Sequence, residues 1–399
     1  MRDCGLCGSS DLVKVLDFGE HPLANAFLKS PNEPETFYPL RVYFCRSCKA
    51  VQLLDLVDPK EIYLDYDYLT SASKPLADHF VKMGKDLCDE FITSKKDVVL
   101  EIGGNDGVLC EAIKDRCWVI NYEPSEKAAA LSIERGVNTV NNFFSSYTAD
   151  HVLSVFGKVN LVIANNVMAH IANLRDVLEG VKKILKPDGV FVFEVHWLGN
   201  LITTGGFDQI YHEHIYYHSL TALKRFVESA GLKLFAVELV PIHGESMRVF
   251  VSPTQEIRGG HIQNFLDREK AMGLDREETF TTFSDKIKRN KKILVELCRM
   301  LRREKCSIVG YGAPAKGNTL LNYYKLRLDY LTDTTPLKQG LYSPGMHIKV
   351  VTPERLRTDT PDYALLLAWN YADSIIVKER DLIKKGLHFI IPVPTVQII

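Results

Sequence analysis

The sequence predicts an α/β protein with two doubly wound sheets behind a small, cysteine-bearing N-terminal block. Two observations point to the sheets. Short apolar runs alternate with helical stretches twice along the chain, and each series contains a glycine turn directly after an apolar run. The third observation is a pair of Cys-x-x-Cys motifs in a stretch too loop-rich to hold much core of its own. A chain of 399 residues fits two or three domains at roughly 100 to 200 residues each. We expect them at 1–75, 76–240 and 241–399.

In the first block, Cys4 and Cys7 form one pair and Cys45 and Cys48 the other, each in a tight turn beside Gly5, Gly8 or Ser47. Such turns aim two thiolates at one point, and two turns make the tetrahedral sulfur set that structural zinc prefers. A redox pair and unliganded thiols are the competing readings. Pro22, Pro31, Pro34 and Pro39 break the intervening chain, and Val42–Phe44 and Val51–Leu54 read as short strands. From Lys74 to Phe91, apolar Leu76, Phe80, Met83, Leu87 and Phe91 recur at helical spacing, with Pro75 in the first turn.

The second block carries strand-like runs at Val98–Ile102, Trp118–Tyr122, Leu161–Ala164 and Val190–Val195, then a helix at Leu220–Ala230 and a strand at Lys233–Val240. Residues 262–304 turn strongly charged but keep Phe280, Phe283, Ile287, Leu294, Leu297 and Leu301 three, four or seven apart, which reads as one long amphipathic helix. Beyond it, Ser307–Gly312 and Ala-Pro-Ala-Lys316-Gly begin the second sheet. Leu328–Leu331, Ala364–Trp369 and Phe389–Ile391 extend it.

With 49 basic and 50 acidic side chains the formal charge is −1, so no global field favours nucleic acid or an anionic membrane. No apolar run approaches the ~20 residues of a membrane span, and the first residues lack the apolar core of a secretory signal. A soluble, cytoplasmic protein is expected. Cys88, Cys110, Cys117, Cys298 and Cys306 lie in apolar or helical context and read as buried, inert thiols.

The segment Glu101-Ile-Gly103-Gly-Asn105-Asp-Gly107 follows a buried strand, and its glycines allow a tight turn and close approach to a ligand. Position 105 is Asn where dinucleotide enzymes place a glycine, and Glu101 and Asp106 put negative charge in the turn. The loop therefore suits a cation better than a diphosphate. Glu123 ends the next strand about 20 residues on, where an acid can bind both ribose hydroxyls of an adenosine.

Residues 205–219 pack His212, His214, His218, Asp208, Glu213 and three tyrosines together. A histidine beside Glu213 and Tyr211 offers a base, an orienting carboxylate and a phenol donor. A metal held by the histidines and a purely structural cluster are the alternatives.

Glu101-x-Gly103-x-x-x-Gly107, the acid at 123 and Leu185-Lys-Pro-Asp-Gly189 resemble, as an ordered set, the class I methyltransferases that use S-adenosylmethionine. An NAD-dependent oxidoreductase is the rival on the same features. In the methyltransferase class the loop after the fourth strand faces the cofactor, so Asn165 becomes a cofactor contact and His170 can sit over the transferred methyl; helix capping competes for Asn165.

Adding the two cysteine pairs, Phe207-Asp-Gln-Ile-Tyr-His-Glu-His214 and Gly310-Tyr-Gly-Ala-Pro-Ala-Lys-Gly317, the chain over nearly its whole length resembles the three-domain deoxysugar C-methyltransferases. These methylate carbon 3 of a nucleotide-linked 4-keto-6-deoxyhexose. The resemblance implies an N-terminal zinc-binding domain, a class I methyltransferase Rossmann-like domain and a C-terminal Rossmann-like domain that helps bind the nucleotide sugar. It implies active-site roles for Tyr211, Glu213, His214 and His170, and for a tyrosine of the 66–71 stretch, of which we favour Tyr68. The base is His214, with His170 as its rival.

Cofactor contacts are expected at Glu101, Gly103, Asn105, Gly107, Glu123 and Asn165, and diphosphate or sugar contacts at Lys316, Asn318 and Asn370. Expected partners are S-adenosylmethionine, structural zinc and a sugar substrate, dTDP-linked, in a monomer or homodimer without nucleic acid or membrane. A nucleic-acid methyltransferase and a zinc-ribbon binding protein with a degenerate methyltransferase fold remain the other classes.

Overall fold

The computed structural model describes residues 3–63, 69–242 and 245–399. The N-terminal sheet is formed by β1 (Leu12–His21), β2 (Tyr38–Cys45) and β3 (Val51–Leu53), all antiparallel. The central sheet begins with β4 (Val98–Ile102), β5 (Trp118–Tyr122), β6 (Thr139–Val140), β7 (Val159–Asn165) and β8 (Leu185–His196), which are parallel. A two-residue strand, β9 (Tyr216–Tyr217), leaves this unit to pair with β3, so the N-terminal sheet holds the end of the histidine-rich segment. The central sheet closes with β10 (Lys233–Val240) and β11 (Ser246–Ser252), in the order β10-β11-β8-β7-β4-β5-β6. Here β11 runs antiparallel between β8 and β10. The 240/241 boundary expected from sequence falls between these two strands of one sheet.

Both faces of the central sheet are covered, which is why its strands read as unbroken apolar runs. Val99, Leu161 and Ile163 pack with Leu76, Phe80 and Met83 of the helix Lys74–Phe91. Leu100 and Val162 face the other way, into a core with Val177 and Val181 of the helix Leu174–Ile184 and Leu223 and Phe226 of the helix Leu220–Ser229.

The C-terminal sheet comprises β12 (Ile308–Tyr311), β13 (Leu331–Thr332), β14 (Val350–Val351), β15 (Tyr363–Leu366), β16 (His388–Ile391) and β17 (Gln397–Ile398). Its order is β14-β13-β12-β15-β16-β17, parallel except for β17. Each larger sheet reverses its strand order once, between β4 and β7 and between β12 and β15, and ligands settle outside the carboxyl ends of strands at such points.

The single long helix expected over 262–304 is two helices, His261–Met272 and Glu277–Arg303. Gly273 breaks it: at φ +70° it takes the left-handed conformation, and Leu274 N–H bonds back to Glu269 O. The second helix packs Phe280, Phe283 and Ile287 into a core shared by Leu40 and Phe44 of the N-terminal sheet, Phe207, and Leu320 and Leu365 of the C-terminal unit. The N-terminal and C-terminal sheets therefore meet around residues 198–217, the stretch that follows β8 of the central sheet.

Candidate active site

The loop after β4 is shaped by its own packing. Gly103 and Gly107 sit at φ +66° and +77°, and a side chain at Gly103 would come 2.8 Å from Val167 Cγ2. Gly103 thus lets the β4 loop lie against the β7 loop at the first reversal. Gly104 N–H donates to Asn121 Oδ1 (3.0 Å), and Asn105 N–H to Glu123 Oε2 (2.9 Å). The second Glu123 oxygen accepts Ser125 N–H (2.8 Å), and burial raises its pKa.

Burial also pushes Glu101 up to about 7, against a Cys110 thiol that donates to it from 3.2 Å. Asp106 is fully buried and paired with Arg135 at 3.1 Å. The negative charge that the sequence places in this turn is therefore smaller than expected: Asp106 is paired with Arg135, distant in sequence, and burial favours the neutral form of Glu101. Asn165 is 8% exposed and lies close enough to Glu101 to favour its charged form, yet among the described residues neither of its polar atoms has a hydrogen-bonded partner of good geometry. It does not cap the helix Leu174–Ile184, a role that Asn173 fills through Asp176 N–H. A buried, unsatisfied amide beside the glycine loop is what an absent polar ligand leaves behind.

The β7 loop joins this region to the histidine-rich segment. Ile215 and Tyr216 N–H both donate to Ala169 O, at 2.7 and 3.2 Å, while Leu53 N–H donates to Ile215 O from the other side. His212 and His218 are not part of a shared centre. His212 Nε2 donates to Pro39 O (3.3 Å) and His218 Nε2 to Met168 O (3.3 Å), and burial lowers the pKa of each. Both tie the segment to its neighbours.

His214 is placed differently. Its Nδ1 faces Gln209 O at 2.8 Å, and a carbonyl can only accept, so the proton sits on Nδ1 and the lone pair on Nε2. The Tyr211 hydroxyl donates to that Nε2 at 3.1 Å, with the two rings 4.2 Å apart. The imidazoles of His170 and His196 lie 5.0 and 5.6 Å from that of His214. His170 Nδ1 donates to Glu213 O (2.8 Å), and burial brings its pKa down to about 4. The Glu213 carboxylate, 3% exposed, accepts from Asn25 of the N-terminal block at 2.8 Å. Tyr68 lies outside the described residues, although Thr70, two positions on, donates its N–H to Asn105 Oδ1 (2.9 Å).

The C-terminal unit reaches the same segment. Asp208, fully buried, accepts Trp369 Nε1 at 2.6 Å, and burial raises its pKa. Lys316 lies 4.0 Å over the Trp369 ring and donates to Asn370 Oδ1 (2.5 Å). Burial lowers Lys316 to about 8 despite the Asp208 carboxylate. Asn318 is buried, its amide nitrogen on Ala24 O (2.8 Å), and its Oδ1 has no partner among the described residues. The structure thus brings Lys316 and Asn370 together at the second reversal and sets Asn318 against the N-terminal block. Asn25, which reaches Glu213, and His196, which lies beside His214, were missed from sequence. His196 ends an apolar strand, a weak signal, and Asn25 carries no local pattern.

The four N-terminal sulfurs all lie within 4.8 Å of one another, with Cys4–Cys48 and Cys7–Cys45 at 3.6 Å. A tetrahedron with ~2.3 Å zinc–sulfur bonds has edges of about 3.8 Å, so the set fits zinc. The Cys4 thiol is drawn down and that of Cys48 pushed up by the contact they share, and Gln52 Nε2 donates to Cys4 Sγ at 3.0 Å. Among the described residues no helix is long and apolar enough to cross a membrane.

Three family models match the chain: "Putative zinc binding domain" over residues 4–63, "Methyltransferase domain" over 77–237 and "C-methyltransferase C-terminal domain" over 241–394. C-methyltransferase NovU of Streptomyces niveus is 35% identical over 406 residues, covering 100% of this chain and 96% of that protein. Among solved structures, magnesium protoporphyrin IX methyltransferase (ChlM) from Synechocystis PCC 6803 with bound SAH overlaps 45% of this chain and 83% of its own, at 12% identity and a TM-score of 0.35. The ribosomal protein L11 methylase of Lactobacillus delbrueckii subsp. bulgaricus overlaps 45% and 79%, at 14% identity and a TM-score of 0.32.

Proposed function

The chain belongs to the three-domain, S-adenosylmethionine-dependent C-methyltransferases, and we propose that it methylates carbon 3 of a dTDP-linked 4-keto-6-deoxy sugar through an enolate. Bound S-adenosylmethionine supplies an electrophilic methyl on a sulfonium. A saturated sugar carbon is not nucleophilic, so the protein must first remove a proton beside a carbonyl. The observation that carries this reading is the tautomer of His214: Gln209 O fixes the proton on Nδ1 and leaves Nε2 as a lone pair beside the Tyr211 hydroxyl.

In this reading His214 Nε2 takes the carbon 3 proton. The Tyr211 hydroxyl turns from Nε2 to the oxygen of the forming enolate, as a pre-placed donor for developing charge. His170 is the weaker candidate for base. Its Nδ1–H is spent on Glu213 O, and a group lowered to about 4 by burial gains little from a proton at neutral pH. Its role is to hold the Glu213 backbone, while the Glu213 carboxylate, steadied by Asn25, supports the imidazolium that forms. Tyr68 enters the proposal on sequence grounds alone.

For the methyl donor, Gly103, Asn105 and Gly107 form the loop, Asn165 and Glu101 supply polar groups beside it, and Glu123 faces the ribose hydroxyls. The four cysteines hold zinc away from the chemistry. Lys316 and Asn370 receive the sugar nucleotide at the second reversal, with Asn318 behind them. The test is mass spectrometry of reactions with S-adenosylmethionine and a panel of dTDP-4-keto sugars. One added methylene, retained on carbon after hydrolysis, is expected; methylation of nucleic acid with no sugar product refutes the reading.

A further inference from the structure

Lys338 ends the short turn Pro336–Lys338 that follows β13, and its side chain runs back toward the turn after β12. Its ammonium donates to Ala313 O at 2.9 Å and lies 5.1 Å from the centroid of Phe27, a residue of the N-terminal block. Ala313 belongs to the turn that follows β12, the same turn whose other side carries Lys316 over Trp369. Two lysines from separate elements thus flank one glycine turn at the mouth of the second sheet. Each also faces a carboxylate of the histidine-rich segment, Lys316 that of Asp208 and Lys338 that of Glu213, with Asp333 on its own unit as well.

The energetics favour an anion between the two lysines. Burial lowers the pKa of both lysines even though carboxylates pull the other way. An ammonium has three donors, and among the described residues each of these makes one hydrogen bond, to Ala313 O and to Asn370 Oδ1. Partly dehydrated cations with donors to spare gain most from a doubly charged oxyanion that bridges them.

We propose that Lys338 is a substrate-binding residue that acts with Lys316 to hold the diphosphate of the sugar nucleotide across the turn Gly310–Gly317. The proposal rests on the nucleotide-sugar reading above. It places the diphosphate between the second sheet and the Tyr-His-Glu-His segment, so that the sugar beyond it extends toward His214. It also explains why Phe27 and Asn25 of the zinc-binding block converge here: they form the third wall.

The test is isothermal titration of the full-length chain and of Lys338→Met and Lys338→Arg with dTDP, with inorganic pyrophosphate and with S-adenosylhomocysteine. Methionine keeps the aliphatic packing and removes the charge. We expect Lys338→Met to weaken dTDP and pyrophosphate about tenfold to a hundredfold. S-adenosylhomocysteine affinity and the melting temperature should stay unchanged, and Lys338→Arg should recover most of the loss. Unaltered dTDP affinity in Lys338→Met overturns the proposal, as does a parallel loss of S-adenosylhomocysteine binding and stability, which would mark a structural pin. If the wild type binds pyrophosphate but not dTDP, the nucleotide reading fails and Lys338 is judged on pyrophosphate alone. Failure to bind either refutes both.

Discussion

Replacing Tyr211 by Phe tests the proposed division of labour within the Tyr-His-Glu-His segment. A single donor aimed at a developing oxyanion is worth ~2.7–4 kcal/mol of barrier. The structure shows that this hydroxyl is not idle before reaction, because it donates to His214 Nε2 at 3.1 Å. Removing it also strips the resting enzyme of a neutral hydrogen bond worth about 1 kcal/mol net, which offsets part of the loss. The remaining ~1.7–3 kcal/mol corresponds to a fall of about 20- to 150-fold in kcat/KM for the keto sugar.

The assay is steady-state turnover by mass spectrometry with the methyl donor saturating, alongside titration with S-adenosylhomocysteine. The loss should appear in kcat, with sugar affinity and cofactor affinity within a few-fold of wild type. Unchanged kcat, or a loss confined to cofactor affinity, refutes the role given to Tyr211.

The other expectations concern metal, charge and stability. One zinc per chain should be found by atomic emission. Cys45→Ser should lose it together with the order of the N-terminal sheet, since zinc binding of about 10 kcal/mol or more doubles as folding energy in small domains; retention of the metal with an unchanged melting curve counts against the site. Affinity for dTDP should fall as pH rises through about 8, because Lys316, facing Asp208, Asn370 and Trp369, is lowered to that value and binds a dianion only when protonated. Lys316→Arg should flatten that dependence, and a pH-independent wild type excludes it.

Glu194 is fully buried between His79 (2.9 Å) and Arg248 (2.8 Å), and burial, which raises its pKa, is outweighed by these two partners, so the folded value lies below the unfolded one. Its contribution is therefore present above the unfolded carboxylate value near ~4.3 and lost as pH falls through the folded value. Glu194→Ala should cost about 3 kcal/mol at neutral pH, the lower end for a broken buried pair because Glu238 still faces Arg248 at 3.5 Å. The variant should also show a shallower loss of stability on acidification, measured by urea unfolding across pH.

Local patterns carried much of the fold. The helix Lys74–Phe91 and strands β4, β5 and β10 stand at the bounds the apolar spacing indicates, because each buries a continuous face. Gly273 was missed as a break because charged residues flank it on both sides; the turn 273–276, left-handed at Gly273 and extended at Arg276, separates the helices, and each packs into a different core. Strand β11 was missed because it follows a short turn and is stabilised by β8, some fifty residues away in sequence. In the site, Tyr211, Glu213 and His214 were legible as neighbours in one segment. Asn25 and His196 were not, since one lies between β1 and β2 and the other ends β8, and only packing brings them to that segment. The pairing of Asp106 with Arg135 was equally invisible, and it lessens the negative charge that the sequence places in the loop.

Exchange of the substrate's carbon 3 proton tests the enolate directly. The enzyme is incubated in heavy water with a dTDP-4-keto-6-deoxy sugar and S-adenosylhomocysteine in place of the methyl donor, and carbon 3 is followed by NMR. Wild type should wash deuterium into that position, Tyr211→Phe more slowly, and His214→Asn at the uncatalysed rate. Exchange that survives in His214→Asn and vanishes in His170→Asn contradicts the assignment of the base, and a wild type that methylates the sugar without any exchange or proton release at carbon 3 contradicts the account itself.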